Sequence, residues 1–196
     1  MAVQLNESLE VGIFDQDGTL YPSSGELGSR LSQLTREWLL EVIHPRIVSF
    51  DDFRRQNPNF AEALARHGIQ LQDWQREVCD RLAGDIASLV EPRRALVEFL
   101  EKIAKRRFVV TLSSEAFSKA LIEALGLTNT FEAVINAREI NKGTAYRSIR
   151  ELTDASPCAI GVFGDNRQVD LQPGAELGFR TFYVNPSQDI TDQYLI

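Results

Sequence analysis

Long apolar runs, frequent cysteines and an excess of basic residues are all missing from this sequence. No stretch approaches the roughly 20 apolar residues of a membrane-spanning helix, so we expect no membrane partner. Residues 1–10 lack the basic and apolar regions of a secretory signal, which by default predicts a cytoplasmic protein. The net charge of -7 argues against a nucleic-acid partner, because proteins that bind nucleic acids are usually basic. It still permits a small anionic substrate, because a local lysine, metal ion or helix N-terminus can reverse the sign of the charge.

The two cysteines, Cys79 and Cys158, match no metal-ligand spacing and cannot form a disulfide framework in a chain of 196 residues. We therefore expect both thiols to be reduced and buried. The length predicts one domain, or one domain with a modest insertion. A hydrophobic content of 43% is ordinary for a globular protein and sufficient for a substantial core.

The segment 11–20, with the sequence VGIFDQDGTL, is the most informative part of the chain. Its apolar run ends abruptly at Asp15, and Asp17-Gly18 follows as a turn. This pattern predicts a buried parallel strand that ends at the mouth of an α/β sheet, where ligands bind. One interpretation is a strand with an ordinary Asp-Gly turn, and the other is two carboxylates placed where chemistry is done. The spacing of these residues alone favours neither.

Strands and helices alternate along the chain, which predicts an α/β fold with a parallel sheet and right-handed crossovers. We expect strands at 9–14, 108–112, 134–135, 159–163 and 179–184, helices ending near 105, 125 and 152, and a helical tail at 190–195. Apolar residues recur at helical spacing over 25–43 and 71–82, and Asn59 with Glu62 predicts a helix start between them. The sequence therefore predicts an α/β core at 1–20 and 90–196, with a helical insertion at 21–89.

Four predicted strand or loop ends carry residues that suit a phosphate or a metal ion. Asp15 and Asp17 would repel each other in a dry site unless a cation such as Mg²⁺ lay between them, and a carboxylate can also act as a nucleophile. Thr111 and Ser113 follow the second strand, either as helix-capping hydroxyls or as phosphate ligands. The remaining candidates are Lys142 before a predicted helix, and Asp165 and Asp170 after a buried strand.

These residues resemble the motifs of one known family. The string DQDGTLY at 15–21 is similar to the first motif of the haloacid dehalogenase-like (HAD) hydrolase superfamily, Asp-x-Asp-Gly-Thr-Leu. The family's later motifs are a Thr or Ser at a strand end, a Lys ahead of a helix, and Gly-Asp followed by a second Asp. Their counterparts occur here in the same order, at Thr111 or Ser113, at Lys142, and at Asp165 with Asp170.

The resemblance implies a Rossmann-like HAD core with an inserted helical cap of the C1 type, which closes over small substrates. It implies that Asp15 is the nucleophile and that Asp17 is the general acid and then the base. A Mg²⁺ ion would be bound by Asp15, by the backbone carbonyl of Asp17 and by Asp165. Asp170 would hold Lys142 or the water shell of the metal. Gln16 departs from the apolar or aromatic residue that is common between the two aspartates.

The resemblance also implies a phosphate site. Thr111 or Ser113 would bind phosphoryl oxygens, and the family spacing favours Thr111. Lys142 would stabilise charge on the phosphate and on the nucleophile. Leu112 stands where the family often has Asn, and Gly143 stands where it often has Pro.

Asp17 favours phosphoryl transfer over dehalogenation, because an alkoxide leaving group needs a proton and a halide does not. The resemblance then implies a Mg²⁺-dependent phosphatase that hydrolyses a small phosphomonoester, of the nucleotide, phosphoglycolate or sugar phosphate type, through an aspartyl-phosphate intermediate. The alternatives are a phosphomutase of the same fold and a non-catalytic HAD-like binding module. The intact set of charged residues argues against the module, since such charges are costly to keep together.

Five residues of the insertion are candidates for substrate contact, although such residues are more commonly cap core or solvated surface: Trp38, Arg54, Arg55, His67 and Trp74. The partner is expected to be a small phosphorylated metabolite. No pattern in the sequence specifies one substrate or an oligomeric state.

Overall fold

A parallel five-stranded sheet forms the centre of the protein. This computed structural model describes residues 3–4, 8–43, 53, 59–137 and 140–195. The strands of this sheet, in chain order, are β2 (Leu9–Phe14), β3 (Ala104–Thr111), β4 (Ala133–Asn136), β5 (Ile160–Gly164) and β6 (Arg180–Tyr183). A short strand, β1 (Val3–Gln4), precedes them and lies outside the sheet. The spatial order of the sheet is β4-β3-β2-β5-β6, with every neighbouring pair parallel. This confirms the predicted α/β, Rossmann-like sheet.

The first strand of the sheet, β2, lies at its centre and is covered on both faces. Val11, Ile13 and Phe14 are all fully buried, as the apolar run in the sequence predicts for a central parallel strand. Its pairing with β5 continues past the strand end, where the Asp15 amide donates to the Phe163 carbonyl at 2.8 Å. The backbone of Asp15 is therefore fixed by the sheet rather than by a loop.

Helices cover both faces of the sheet. In chain order they are α1 (Glu26–Ile43), α2 (Phe60–Arg66), α3 (71–83, made of Leu71–Trp74, the π-helical turn Gln75–Cys79 and Asp80–Ala83), α4 (Ile86–Leu89), α5 (Arg94–Ile103), α6 (Glu115–Ala124), α7 (Asn141–Thr153), α8 (167–176, made of the π-helical turn Arg167–Leu171 and Gln172–Glu176) and α9 (Ile190–Gln193). A 3₁₀ turn, Pro157–Ala159, precedes β5.

The buried apolar residues form two clusters, one on each face of the sheet. One cluster packs Val11, Ile13 and Val162 against Tyr146 and Ile149 of α7. The other starts from Phe14 and Phe163 and extends without interruption through α5 and α6 into helices α1 to α4, here called the inserted helices. The inserted helices therefore share a core with one face of the sheet.

Local capping explains why α2 begins and ends where it does. Asn59 accepts the Glu62 amide at 3.3 Å and donates to the Glu62 carboxylate at 2.8 Å, so the predicted capping pair forms. Gly68 follows α2 with a φ of +75°, which L-residues rarely adopt. The predicted helix 71–82 is present, but it contains a π-helical turn that apolar spacing does not indicate.

Several element boundaries differ from the sequence predictions. The helix expected to reach residue 105 ends at Ile103, and β3 begins at Ala104 instead of 108, because Ala104 pairs with Leu9 of β2. A neighbouring strand thus extends β3 through a segment, AKRR, with little strand propensity of its own. The predicted helical tail stops at Gln193, and β7 (Tyr194–Leu195) pairs in parallel with β1.

Two further expectations concern the membrane and the cysteines. Among the described residues, no helix is both long and apolar enough to cross a membrane. Both cysteines are free, and Cys79 is buried as expected. Cys158 is exposed, so the expectation of burial is wrong there, because the residue lies on the 3₁₀ turn before β5 rather than inside that strand.

Candidate active site

Three aspartates meet at the carboxyl ends of β2 and β5. Asp15 follows β2, Asp165 follows β5, and Asp170 lies in the π-helical turn that starts α8. One carboxylate oxygen from each lies within 4.8 Å of the other two. The strand ends bring together residues that are up to 155 positions apart in the sequence, as expected for a parallel sheet.

Lys142 joins two of these aspartates. Its ammonium donates to Asp15 Oδ1 at 2.5 Å and to Asp170 Oδ1 at 2.7 Å, and its side chain is only 3% exposed. Lys142 lies inside the first turn of α7 rather than ahead of a helix, because α7 already begins at Asn141. The other oxygen of Asp170 accepts the backbone amide of Asn166 at 2.8 Å. Asp170 is thus held from both sides and fixes the position of the lysine.

The charges in this cluster perturb each other strongly. Burial raises the pKa of the Asp15 carboxyl well above its usual range, and repulsion from Asp170 raises it further, while Lys142 acts in the opposite direction. Burial alone would lower the pKa of Lys142, but attraction to Asp15 and Asp170 holds that pKa well above its usual value. Lys142 therefore stays protonated. Its single positive charge does not balance the negative charges of the carboxylates around it.

Asp17 is held by hydroxyl groups. Its Oδ1 accepts the Tyr21 hydroxyl at 2.7 Å, and its Oδ2 accepts the Ser113 hydroxyl at 2.5 Å. Burial and the nearby Asp17 raise the pKa of the Tyr21 phenol well above its usual value, so Tyr21 stays protonated and remains a donor. Tyr21 was not among the site residues predicted from the sequence. It ends the first motif, four residues after Asp17, and could have been included on that ground.

The two candidate hydroxyls after β3 occupy different places. Ser113 lines the same pocket as Asp15 and Asp17, and Thr111 is not among the described residues that line it. Thr111 instead accepts the backbone amide of Ser113 at 3.0 Å. Ser114 accepts the Phe117 amide and caps α6. The three hydroxyls thus divide into one that faces the pocket and two that shape the backbone around it.

Two glycines leave room for the carboxylates. Gly18 has a φ of +80°, and a Cβ there would lie 2.7 Å from Asp165 Oδ2. A Cβ on Gly164 would lie 2.7 Å from Asp170 Oδ2. Any other residue at either position would displace an aspartate of the cluster.

The pocket over this cluster has a volume of about 230 Å³. Asp15, Asp17, Ser113, Lys142, Asp165 and Asp170 line one side, so all the predicted site residues except Thr111 meet there. The opposite side comes from α1, from the start of α2 and from α3. Of the five candidates in the insertion, Trp74 lines this pocket. Trp38 is buried in the core cluster, His67 packs near Phe53, and Arg54 and Arg55 lie outside the described residues.

The π-helical turn of α3 touches the loop that carries Ser113. Gln75, which is 2% exposed, donates to the Leu112 carbonyl at 2.5 Å. Burial, followed by the nearby Asp17, raises the pKa of the Cys79 thiol, so this thiol stays neutral. Neither residue carried a signal in the sequence, because helical spacing alone places both in an ordinary core.

Comparison with known proteins identifies the family. The model of a hydrolase family described as haloacid dehalogenase-like hydrolase matches residues 10–178. The chain belongs to the haloacid dehalogenase-like hydrolase family. This confirms the resemblance read from the motifs. A comparison with curated proteins finds none that matches.

Solved structures of HAD proteins share the fold of this hydrolase. A Lactobacillus plantarum protein provisionally assigned as a phosphoglycolate phosphatase has a TM-score of 0.70 at 18% identity, over 97% of this chain and 93% of its own. The provisionally assigned HAD-hydrolase YfnB of Bacillus subtilis, bound to magnesium, has a TM-score of 0.55 at 16% identity, over 97% and 95%. L-2-haloacid dehalogenase from Xanthobacter autotrophicus, with chloropropionic acid covalently bound, has a TM-score of 0.50 at 18% identity, over 88% and 76%. At these identities the likeness establishes the fold.

The residues of this HAD hydrolase suit a divalent metal ion. Asp15, Asp165 and Asp170 bring carboxylate oxygens close together, and Mg²⁺ prefers such hard oxygen ligands. Asp15 is buried among other carboxylates and would take up a proton without more positive charge than Lys142 supplies. A cation at this cluster would relieve that repulsion, so the donor set and its charge both fit a metal site.

Proposed function

We propose that this HAD hydrolase is a Mg²⁺-dependent phosphatase that hydrolyses a small phosphomonoester through a phosphorylated Asp15. The observation that carries the proposal is the arrangement of Asp15 at the rigid end of β2, paired with Lys142 and sharing one pocket with Asp17. A nucleophile needs a fixed position, and an acid/base needs access to the leaving group. The partner would be a small phosphorylated metabolite.

The first step is attack by a carboxylate oxygen of Asp15 on phosphorus. The bond between phosphorus and the leaving-group oxygen breaks, and the carboxylic acid of Asp17 gives that oxygen a proton. In the second step water attacks the phosphorus of phospho-Asp15, and the Asp17 carboxylate takes a proton from that water. Inorganic phosphate leaves and Asp15 is regenerated.

The cations and donors of the site would stabilise the charge on the transferring group. Lys142 lies 2.5 Å from Asp15 Oδ1 and would balance the nucleophile and the phosphoryl oxygens. Asp15, Asp165 and the backbone carbonyl of Asp17 would hold Mg²⁺, which supplies a Lewis acid for the phosphate. Asp170 would keep the lysine in place through its own ion pair.

Ser113 is the better candidate for the phosphate-binding hydroxyl, although the family spacing favoured Thr111. The Ser113 hydroxyl faces the pocket, whereas the Thr111 oxygen accepts the Ser113 backbone amide. Thr111 would then act through Ser113 by fixing the loop. The inserted helices, residues 21–89 in the division that we propose, would serve as a cap, because α1, α2 and α3 supply the far side of the pocket.

Dehalogenation is the competing chemistry, since a dehalogenase shares the fold. The position of Asp17 supports phosphoryl transfer, because its carboxyl group lines the pocket beside Asp15 and can protonate an alkoxide. A halide leaves without a proton, so dehalogenation would not need a general acid at this position.

The test is release of inorganic phosphate by the full-length protein, with acetyl phosphate as an activated substrate and with halide release from 2-chloropropionate as the competing assay. We expect phosphate release with Mg²⁺, none in EDTA, and no halide release. Asp15→Asn should abolish turnover, while Asp17→Asn should cost about 10²–10⁴-fold and accumulate phospho-Asp15. A phosphate found on Asp17 by mass spectrometry of quenched enzyme, or full activity in EDTA, would contradict the proposal.

A further inference from the structure

The far side of the pocket is apolar. Leu31 of α1, Phe60 of α2, and Leu71 and Trp74 of α3 lie opposite the aspartates, and we call these four residues the apolar wall. Phe60 and Trp74 meet edge to face, with ring centroids 5.3 Å apart. Leu31, Phe60 and Leu71 also pack against the main core, so the wall is supported from behind. A leaving group bound here would contact hydrocarbon and aromatic surface.

Two of the polar groups on this side are already engaged with neighbours in the inserted helices. The Trp74 indole N–H donates to the Thr35 hydroxyl at 3.0 Å. The Asn59 side chain both accepts from and donates to Glu62 in the cap of α2. Ser32, which is exposed, supplies a further hydroxyl. A leaving group with several hydroxyls would therefore lose water there and recover few hydrogen bonds.

The charge of the pocket disfavours a second anion on the substrate. Four aspartates and one lysine line it, and the described residues that the inserted helices contribute to the lining carry no charged side chain. None of the described residues on the apolar side of the pocket could form an ion pair with a carboxylate on the leaving group, so burying that carboxylate there would cost hydration energy.

The volume of the pocket favours a small leaving group. The pocket holds about 230 Å³, below the roughly 300–1,000 Å³ of sites that bury drug-sized ligands. An apolar cavity of about 150 Å³ accommodates one benzene ring. A leaving group about as large as a single ring would therefore suit this pocket.

We propose that the substrate is a phosphomonoester of a compact, uncharged alcohol with an apolar face, of the size of one aromatic or branched aliphatic ring. The apolar wall would bind that face, and the phosphoryl group would lie against Asp15 and Lys142. This inference rests on the proposed phosphatase function. It disfavours phosphoglycolate, sugar phosphates and nucleotides as substrates, because they carry a carboxylate or several hydroxyls.

The test compares benzyl phosphate with 2-phosphoglycolate on the full-length protein with Mg²⁺. Both are phosphates of a primary alcohol, so the reacting bonds are alike and the rest of the leaving group differs. We expect kcat/KM for benzyl phosphate to be at least about tenfold higher, which corresponds to a modest difference in binding. Glucose 6-phosphate and uridine 5′-monophosphate complete the panel, and both should fall below benzyl phosphate.

A matched pair of variants locates the effect. Ser32→Arg adds a cation to the pocket lining and should shift the ratio of kcat/KM values toward 2-phosphoglycolate by about tenfold. Gln33→Arg adds the same charge at the next, exposed position, outside the described pocket lining, and should leave the ratio unchanged. Because the readout is a ratio, a general loss of folding or turnover cancels.

The other outcomes of these assays distinguish failure of the substrate inference from failure of the phosphatase function. A higher kcat/KM for 2-phosphoglycolate, glucose 6-phosphate or the nucleotide would overturn the inference, as would a ratio that Ser32→Arg does not move. Turnover of acetyl phosphate without turnover of benzyl phosphate would overturn the inference while supporting the phosphatase function. Failure to hydrolyse acetyl phosphate as well would overturn the phosphatase function, and the inference with it.

Discussion

At the scale of single residues, Tyr21 controls where the Asp17 carboxylate can point. Its hydroxyl donates to Asp17 at 2.7 Å from a position that is only 4% exposed, and its raised pKa keeps the proton on the phenol. A buried hydrogen bond to a charged group contributes about 1.5–3 kcal/mol. In the proposed mechanism Tyr21 would therefore be a positioning residue for the acid/base Asp17.

Tyr21→Phe should therefore slow reactions that need a well-placed acid. We expect kcat for benzyl phosphate to fall by about tenfold or more, and kcat for acetyl phosphate to fall less, because an activated leaving group needs little protonation. Steady-state kinetics on both substrates checks this, with circular dichroism as the control for folding. Equal losses on both substrates would show that Tyr21 acts on the fold alone.

Asp15 links the metal to stability and pH. In metal-free protein the pKa of the Asp15 carboxyl is raised, so between its usual and its raised pKa the folded state binds more protons than the unfolded state. Stability then falls as pH rises through that window. The proposed Mg²⁺ would bind the ionised carboxylates and should reverse this loss, because proton competition weakens at higher pH.

We accordingly expect the increase in Tm caused by saturating Mg²⁺ to be larger near about pH 8 than near about pH 5. Differential scanning fluorimetry in EDTA and in Mg²⁺ measures it. Asp165→Asn, which removes a proposed ligand, should shrink the increase at both pH values. An increase that does not depend on pH would exclude Asp15 as a metal ligand.

The motifs foresaw the charged residues of the site, and the family resemblance also implied that Lys142 would lie beside Asp15 and Asp170. Asp15, Lys142 and Asp170 were identified from their order and spacing, and the structure brings them into contact. The hydrogen bonds of Tyr21 and Gln75 were not foreseen, since each depends on a partner that only the folded backbone brings near. The same limit applies to Thr111 and Ser113, because sequence spacing does not report which of two hydroxyls two residues apart lines the pocket.

At the scale of elements, the end of β5 illustrates how tightly the backbone approaches the cluster. Gly164 is its last residue, and a Cβ there would lie 2.7 Å from Asp170 Oδ2 and 2.8 Å from Asp170 Cγ. Asp170 cannot retreat easily, because Lys142 and the Asn166 amide both hold it. The extra methyl group must shift either the strand or the carboxylate.

Gly164→Ala should destabilise the protein by about 1–3 kcal/mol, as overpacking in a close-packed site does. Gly84→Ala is the matched control. Gly84 ends α3 with a φ of -67°, and a Cβ there meets nothing within 4 Å. That variant should be neutral or more stable by about 0.4–1 kcal/mol. Urea denaturation of both proteins measures the difference, and equal stabilities would contradict the packing argument.

Element boundaries show what sequence periodicity can and cannot predict. The core strand β2 and the helix α1 fall close to their predicted limits, since their apolar residues have one clear period. The early start of β3 depends on pairing of Ala104 with Leu9, about 95 residues away in the sequence, which local propensity does not report. The π-helical turn of α3 is likewise invisible to a count of apolar spacings.

At the scale of the whole molecule, the inserted helices and the sheet share one buried cluster. Leu64, Val78 and Leu82 of the inserted helices belong to the same cluster as Phe117 of α6 and Phe163 of β5. Separating the two parts would expose apolar surface on both, at about 25 cal/mol for each Å². The inserted helices should therefore not unfold on their own.

The tryptophans allow this to be measured, because both lie in the inserted helices, at Trp38 and Trp74. Their fluorescence reports unfolding of that region alone, whereas far-UV circular dichroism reports the whole chain. We expect the two urea transitions to coincide. A fluorescence transition at lower urea than the dichroism transition would show that the inserted helices unfold first and that the shared cluster does not couple the two parts.

The central position of β2 has a consequence for synthesis on the ribosome. Its partner β3 is made soon after the inserted helices, but β5, which pairs along its other edge, begins only at Ile160. At elongation rates of about 5–20 residues per second, that edge stays unpaired for about 7 to 30 s. Throughout this interval Phe14 lacks the Phe163 ring that stacks on it at 4.8 Å in the finished protein. The nascent chain thus carries an open, apolar strand edge that a chaperone would be expected to cover until β5 emerges.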